Sequence, residues 1–323
     1  MHEKLLAVAR VTSYPKGARL VRQGEAARGA FVIRSGRVEA QVALPGGGTL
    51  PVAELGEGDM FGEMALIERG VCTASVFARE PVEVSFIERD DFRAMVASRD
   101  PAALEVQRKI TQVLAAKLRA LNAKVRSHPA AEDKPAVQGR KTQFEKPGFD
   151  WRPFLAILPF FEGFEVYEID ELVARCRAIE LARGSLLFSA GEPADACYIV
   201  VRGALELFFR NGRLERRFAL AGPGEIIGYL AVLENAPHTA AARVRETACL
   251  LELPAKDFLA IYGGDSGTSV SLQHAIHKSL LRALARTNTQ LTRLISHAHL
   301  MHSKEALELE KTLHGQIDVV PAQ

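Results

Sequence analysis

Short apolar stretches broken by glycine turns fill the first part of the chain, one of them strictly alternating, and the apolar pattern then shifts to a longer period. Val38, Ala40, Val42 and Leu44 sit at period two, the spacing of a strand that buries one face. Tyr14 to Glu25 reads as a strand between glycine turns, Ala30 to Ile33 as the next, and Val71 to Ala78 and Val82 to Ile87 as two more. Ser35-Gly36 and Pro45-Gly46-Gly47-Gly48 mark the turns around the Val38 to Leu44 strand, and residues 5–10 read as a short helix. Short strands broken by glycine turns predict an antiparallel β-roll or sandwich. From Pro101 to Arg126 the period becomes helical, with Leu104, Thr111, Leu114, Leu118, Leu121 and Val125 on a heptad-like stripe. Ser127 to Gly148 is polar, carries three prolines and reads as a linker.

The pattern then starts again. Leu158 to Phe164 leads into a predicted amphipathic helix from Tyr167 to Arg177 that carries Leu172, Val173 and Cys176. Beyond it, Gly17, Gly24-Glu25 and Gly36 recur as Gly184, Gly191-Glu192 and Gly203, offset by 167. Gly58, Gly62, Asp91 and Phe92 recur as Gly224, Gly228, Asp257 and Phe258, offset by 166. The offset changes where Pro45 to Gly48 faces the tighter Asn211-Gly212. An ordered series of this kind marks an internal repeat. A second long helix is predicted over 266–314, with Leu280, Leu284, Thr287, Leu291, Leu294, Ala298 and Met301 forming a seam. That seam suits the first long helix or a second copy of the chain equally well. The expected class is α+β: two antiparallel β-rolls (1–100 and 149–265), each followed by a long helix (101–126 and 266–314), with a linker at 127–148 and a tail at 315–323.

Candidate chemistry concentrates in Gly58-Asp59-Met60-Phe61-Gly62-Glu63-Met64-Ala65-Leu66, read as a strand end, a glycine turn and a helical turn from Glu63 to Ile67. Backbone N–H groups at such a turn suit an anion, and the Glu63 carboxylate suits ribose hydroxyls. With 48% hydrophobic and 25% charged residues the chain has the composition of a globular protein, and its net charge of +2 gives no overall bias toward nucleic acid or membrane. The four cysteines lie in apolar or strand-like surroundings without metal spacing and read as reduced thiols. No apolar run is long enough for a signal peptide or a membrane span, so the expected location is the cytoplasm.

On these residues both halves resemble the cyclic nucleotide-binding domains of catabolite-activator-type regulators, kinase regulatory subunits and nucleotide-gated channels. The first half carries the resemblance in Lys16-Gly17, Gln23-Gly24-Glu25, Phe31-Val32-Ile33, Ser35-Gly36 and Gly58 to Leu66. The second carries it in Arg183-Gly184, Gly191-Glu192, Tyr198-Ile199-Val200, Gly203 and Gly224-Glu225-Ile226-Ile227-Gly228-Tyr229-Leu230-Ala231. The resemblance implies that the Glu after Phe-Gly meets the ribose. It also implies that an Arg ten residues after that Gly meets the cyclic phosphate. Here Phe61, Gly62, Glu63, Met64, Ala65 and Leu66 are followed by Cys72 in the Arg position, then Thr73 and Ala74. In the second half Tyr229 replaces the Glu and His238 the Arg, followed by Thr239 and Ala240. An Arg–phosphate pair is worth about 1.5–3 kcal/mol, which a thiol does not supply. His238 supplies charge only when protonated, so binding there is expected to weaken above about pH 6.5.

Three ligand readings follow. The first is an ordinary cyclic mononucleotide, cAMP or cGMP, held chiefly by Glu63 and the Gly62–Leu66 amides. The second is cyclic di-GMP, for which Arg69, Arg79, Arg243 and Arg245 near the two cassettes offer cations. The third is a ligand-free pair of domains serving as a protein-interaction scaffold. His274 with His277 and His299 with His302 are spaced to share a helix face, yet nothing completes a metal set. Lys278, Arg282 and Arg286 form an i, i+4, i+8 stripe whose default reading is a solvated face, with docking to an acidic partner or to nucleic acid as the sharper alternative. No helix-turn-helix pattern, inhibitor-like segment or nucleophile–base–acid arrangement stands out. The sequence therefore points to a non-enzymatic second-messenger sensor. Its helices would relay ligand occupancy to a protein partner or across a homodimer.

Overall fold

The computed structural model describes residues 9–43, 49–67, 69–127, 134–135, 144–211 and 214–300. The chain divides into two compact units, residues 1–113 with 291–323, and residues 114–290.

In the first unit one antiparallel sheet runs β1 (Arg10–Tyr14), β10 (Val82–Glu88), β4 (Gly29–Ser35), β7 (Met60–Phe61). The other runs β2 (Arg19–Val21), β9 (Ser75–Ala78), β5 (Val38–Ala43), β6 (Thr49–Leu55), and β3 (Ala26–Ala27) pairs with β8 (Gly70–Val71). Ile33, Phe61 and Val84 from the first sheet join Val38, Ala40, Leu55 and Val76 from the second in one core, as the alternation in β5 requires. Residues 1–8 lie outside the described residues, and Arg10 opens a strand where the sequence suggested the end of a helix. The turn at Pro45 to Gly48 also lies outside them. The predicted Val71 to Ala78 strand is broken, because Cys72 turns aside to exchange backbone bonds with Gly24 and Glu25. A short helix α1 (Met64–Ile67) and a longer α2 (Arg89–Ala97) complete the roll.

Helix α3 (Pro101–Ser127) begins where Asp100 Oδ1 accepts from the backbone N–H of Ala102 at 2.9 Å, with Pro101 in the first turn. Its predicted stripe, Leu104, Thr111, Leu114, Leu118, Leu121 and Val125, is buried throughout.

The second unit repeats the roll. Helix α4 (Val166–Val173) is held by a capping box of Glu165 and Glu168, and it stops short of the predicted Arg177. Arg177 already belongs to a strand. The sheet runs β11 (Lys134–Pro135), β15 (Leu214–Ala221), β14 (Ala196–Asn211), β17 (Ala241–Pro254), β12 (Arg177–Leu181), with β13 (Leu186–Phe188) on β17 and β16 (Ile226–Ile227) on β14. Pairing of Lys134–Pro135 with Leu214 and Glu215 gives the stretch read as linker one short strand. Gly212, in the predicted tight turn, lies outside the described residues.

Where the first unit uses two strands, β4 and β5, the second uses the single strand β14, which serves both layers by turning a corner. The corner is Gly203, at φ 86°, amid register shifts from Val200 to Leu205. The five glycine pairs of the repeat, 17/184, 24/191, 36/203, 58/224 and 62/228, all have positive φ, so the repeat read in the sequence is a repeat of backbone conformation. Ile179, Leu181, Val200, Leu205, Val244 and Leu250 fill the second core.

After α5 (Tyr229–Leu233) and α6 (Ala255–Tyr262) comes the long helix α7 (Gly267–Leu300). On its seam Leu280, Leu284 and Thr287 are buried, and Thr287 donates to Asn122 Oδ1 of α3 at 3.2 Å within the same unit. This part of the seam therefore meets the chain's own first long helix. Leu294, Ala298 and Met301 lie outside the described side chains. The architecture is α+β, two antiparallel β-rolls each followed by a long helix.

Candidate functional site

The two cassettes share a left-handed glycine leading into a short helix and have different interiors. In the first, Phe61 stacks on Phe31, its cross-strand partner, with ring centroids 4.9 Å apart. Gly62 turns the chain at φ 74°, and Glu63 follows with no exposed surface at all. The N–H of Ala65 donates to Gly62 O at 3.0 Å and that of Leu66 to Glu63 O at 3.0 Å, so two amides expected to face an anion are satisfied within the turn. Arg89 of α2 donates to the carbonyls of Ala65 and Ala27 and pins the turn from behind. Met64 is half-buried, Ala65, Leu66 and Ala74 are buried, and Cys72 and Thr73 reach partly to the surface. The side chain expected to grip ribose is thus buried in the unit.

In the second cassette Gly228 turns the chain at φ 80° into α5, and the buried Tyr229 takes the place of Glu63. Burial pushes the Tyr229 hydroxyl well above its ordinary pKa, so it remains a neutral phenol. The N–H of His238 donates to Glu192 O at 3.0 Å, and its carbonyl accepts from Gly191 N–H at 2.8 Å. Cys72 makes the same two bonds, to Glu25 and Gly24, each at 2.8 Å. The structure thus places Cys72 and His238 at one equivalent position.

The His238 ring lies flat on Phe188, centroids 3.9 Å apart and planes 9° from parallel. Burial lowers its pKa below the ordinary 6.5 and outweighs the opposing pull of Glu192 and Asp195. The expected loss of charge at His238 above about pH 6.5 therefore falls at still lower pH in this setting. Affinity for cAMP, measured by calorimetry, should accordingly change little between pH 6.5 and pH 8. A loss of about tenfold across that window would instead show a protonated His238 at the ligand.

Gly228, Tyr229, Leu230, Ala231, His238, Thr239 and Ala240 together line a cavity of about 140 Å³. Phe188 and Leu207 contribute from the sheet, Leu118 and Asn122 from α3, and Ser279, Arg282, Ala283, Arg286 and Thr287 from α7. Phe188 carried no signal in the sequence, because its role arises from stacking across strands. The α7 residues did carry one, the stripe at Lys278, Arg282 and Arg286, which the solvated-face reading absorbed.

Arg243 is not in the cavity. Its guanidinium is buried, paired with Glu215, 3.6 Å from Glu206 and 4.3 Å above the Phe208 ring. Arg245 lies 3.6 Å from Glu206, and Arg79 pairs with Glu39. Three of the four arginines noted for cyclic di-GMP thus already face carboxylates, and none of the four lines the cavity. Among the described residues no group of three or more His, Cys, Asp or Glu side chains gathers as a metal site. His297, His299 and His302 lie outside the described side chains. None of the four cysteines forms a disulfide, and no described helix is long and apolar enough to cross a membrane.

The model of the cyclic nucleotide-binding domain matches residues 11–99 and 178–265, more than half of the chain. The chain belongs to the cyclic nucleotide-binding domain family. Among curated relatives of this family member, the CRP-like cAMP-activated global transcriptional regulator of Mycobacterium tuberculosis is 29% identical over 143 residues, 44% of this chain and 62% of that protein. The cyclic AMP receptor protein of Thermus thermophilus is 33% identical over 104 residues, 32% of this chain and 48% of that protein. The chain thus spans less than two thirds of either relative. Among solved structures, the regulatory domain of Toxoplasma gondii PKA with cAMP aligns over 87% of this chain and 90% of that one, at 19% identity and a TM-score of 0.35. Domains of this family are regulatory modules that bind cyclic nucleotides.

Proposed function

We propose that this cyclic nucleotide-binding protein is a non-enzymatic sensor that takes a cyclic mononucleotide, cAMP or cGMP, in the cavity of its second half. Occupancy would be relayed through α7 to a protein partner. The observation that carries this reading is the lining of the cavity: seven residues of the second cassette face five of α7. A ligand there touches the sensing turn and the output helix at once, so its binding energy differs between packings of that helix and shifts their populations. The ion pair of Arg286 with Glu225 and the Thr287–Asn122 bond hold α7 in the packing seen here. The first cassette, with Glu63 fully buried, has the secondary part. The location proposed is the cytoplasm.

Calorimetry on the full chain with cAMP and cGMP tests this. Ala283 lies half-buried on α7 against the cavity, so Ala283→Trp puts an indole into the ligand's space while leaving the cassette untouched. Binding should be lost in Ala283→Trp and retained in Glu63→Ala. Loss in Glu63→Ala alone would move the site to the first half. Spin labels on α7 should report altered distances to α3 on saturation with cAMP, and unchanged distances would defeat the relay.

A further inference from the structure

Charge around the second cavity is distributed unevenly. On the cassette and sheet side the aromatic groups are Phe188, Phe218, Tyr229 and His238, none with a net charge at neutral pH, and the carboxylate is Glu225. The two cations that line the cavity, Arg282 and Arg286, both come from α7, one turn apart. Arg286 is taken up by Glu225. One turn before Arg282, Lys278 holds Glu162 at 3.1 Å, a carboxylate whose remaining field also reaches Arg282. Arg282 is exposed, and its guanidinium enters no ion pair or hydrogen bond among the described residues. The cavity thus has an uncharged aromatic floor and an available cation at its helical rim.

A cyclic nucleotide is likewise two-ended, with a flat heterocycle at one end and a phosphate carrying one negative charge at the other. Seating the phosphate against His238 would bury that charge beside an uncharged ring stacked on Phe188, a large desolvation cost with no compensating cation. Seating the heterocycle there places a π-face among aromatic faces and leaves the phosphate at the rim. We propose that the second cavity holds its nucleotide with the polarity reversed from the one the family cassette implies, the base against Phe188, Tyr229 and His238 and the phosphate paired with Arg282 of α7. The cation absent from the cassette is then supplied by the output helix. This rests on the reading that the second cavity takes a cyclic nucleotide.

Two measurements on the full chain test it. In calorimetry, Arg282→Gln should bind cAMP about tenfold to a hundredfold more weakly than wild type. The affinity for adenosine, which lacks the phosphate, should be the same in both proteins. Because Arg282 is exposed, an unchanged unliganded melting temperature shows that the variant folds. Photo-crosslinking with 8-azido-cAMP should label peptides that contain Phe188, Tyr229 or His238. Equal cAMP affinity in wild type and Arg282→Gln, or crosslinks confined to α7, would overturn the reversed polarity while leaving the second cavity as the site. Absence of cAMP binding sensitive to Ala283→Trp would instead remove the site itself, and the polarity with it.

Discussion

Replacing Glu215 with alanine should destabilise the second unit by about 3–5 kcal/mol, the typical cost of orphaning one member of a buried ion pair. Glu215 is 8% exposed, pairs with Arg243 and also accepts from Arg210 at 2.6 Å. Arg243 is itself buried, and its only other carboxylate contact among the described residues is the looser one to Glu206 at 3.6 Å. Removing Glu215 leaves a guanidinium in a sheet interior over the Phe208 ring, with most of its compensation gone. The chain has one tryptophan, Trp151, which lies in this unit, so urea unfolding followed by its fluorescence reads the effect directly. The double variant Glu215→Leu with Arg243→Met removes both charges together and should recover most of the loss. A shift under about 1 kcal/mol in Glu215→Ala would mean that water reaches the guanidinium and the pair is a surface one.

Gly203→Ala should cost about 2–5 kcal/mol, from two separate sources. The residue sits at φ 86°, where an L side chain is strained, and a Cβ there would lie 2.4 Å from Thr247 O and 2.7 Å from Ala248 Cα. Both neighbours are backbone of the paired strand β17 and cannot step aside without shifting the sheet. Gly24, also at positive φ, has open space where its Cβ would stand, so Gly24→Ala bears only the strain, about 1–2 kcal/mol. Comparing the two by chemical denaturation separates the corner's steric demand from the conformational one. Equal losses would show that strand β17 relaxes to admit the methyl group.

The glycine ladder made the fold readable because it records backbone conformation, which recurs wherever the chain must turn the same way. The strand alternation of β5 and the stripe on α3 were legible for a similar reason: burial imposes a period, and a period survives in one dimension. The site was less legible. Cys72 and His238 were matched by spacing, and the shared bonds to the Gly-Glu pairs place them together. Whether Arg243 faced a ligand or a carboxylate depended on Glu215, 28 residues away on a strand that β14 separates from its own, and sequence distance carries no trace of that choice. Phe188 entered through a stack that no periodicity announces. Arg282 was visible only as one member of a charged stripe, since the sequence does not say which turn of a helix overhangs a cavity.

The pair of main-chain bonds that fixes Cys72 and His238 makes no use of either side chain. A thiol and an imidazole occupy the same socket without altering how the strand is tethered. That position is therefore open to exchange: a residue other than proline keeps both main-chain bonds, and what changes is the packing on its neighbours and the chemistry offered to a visitor. A scaffold with such a socket can lose a ligand, or acquire a new one, by a single substitution without first risking its fold.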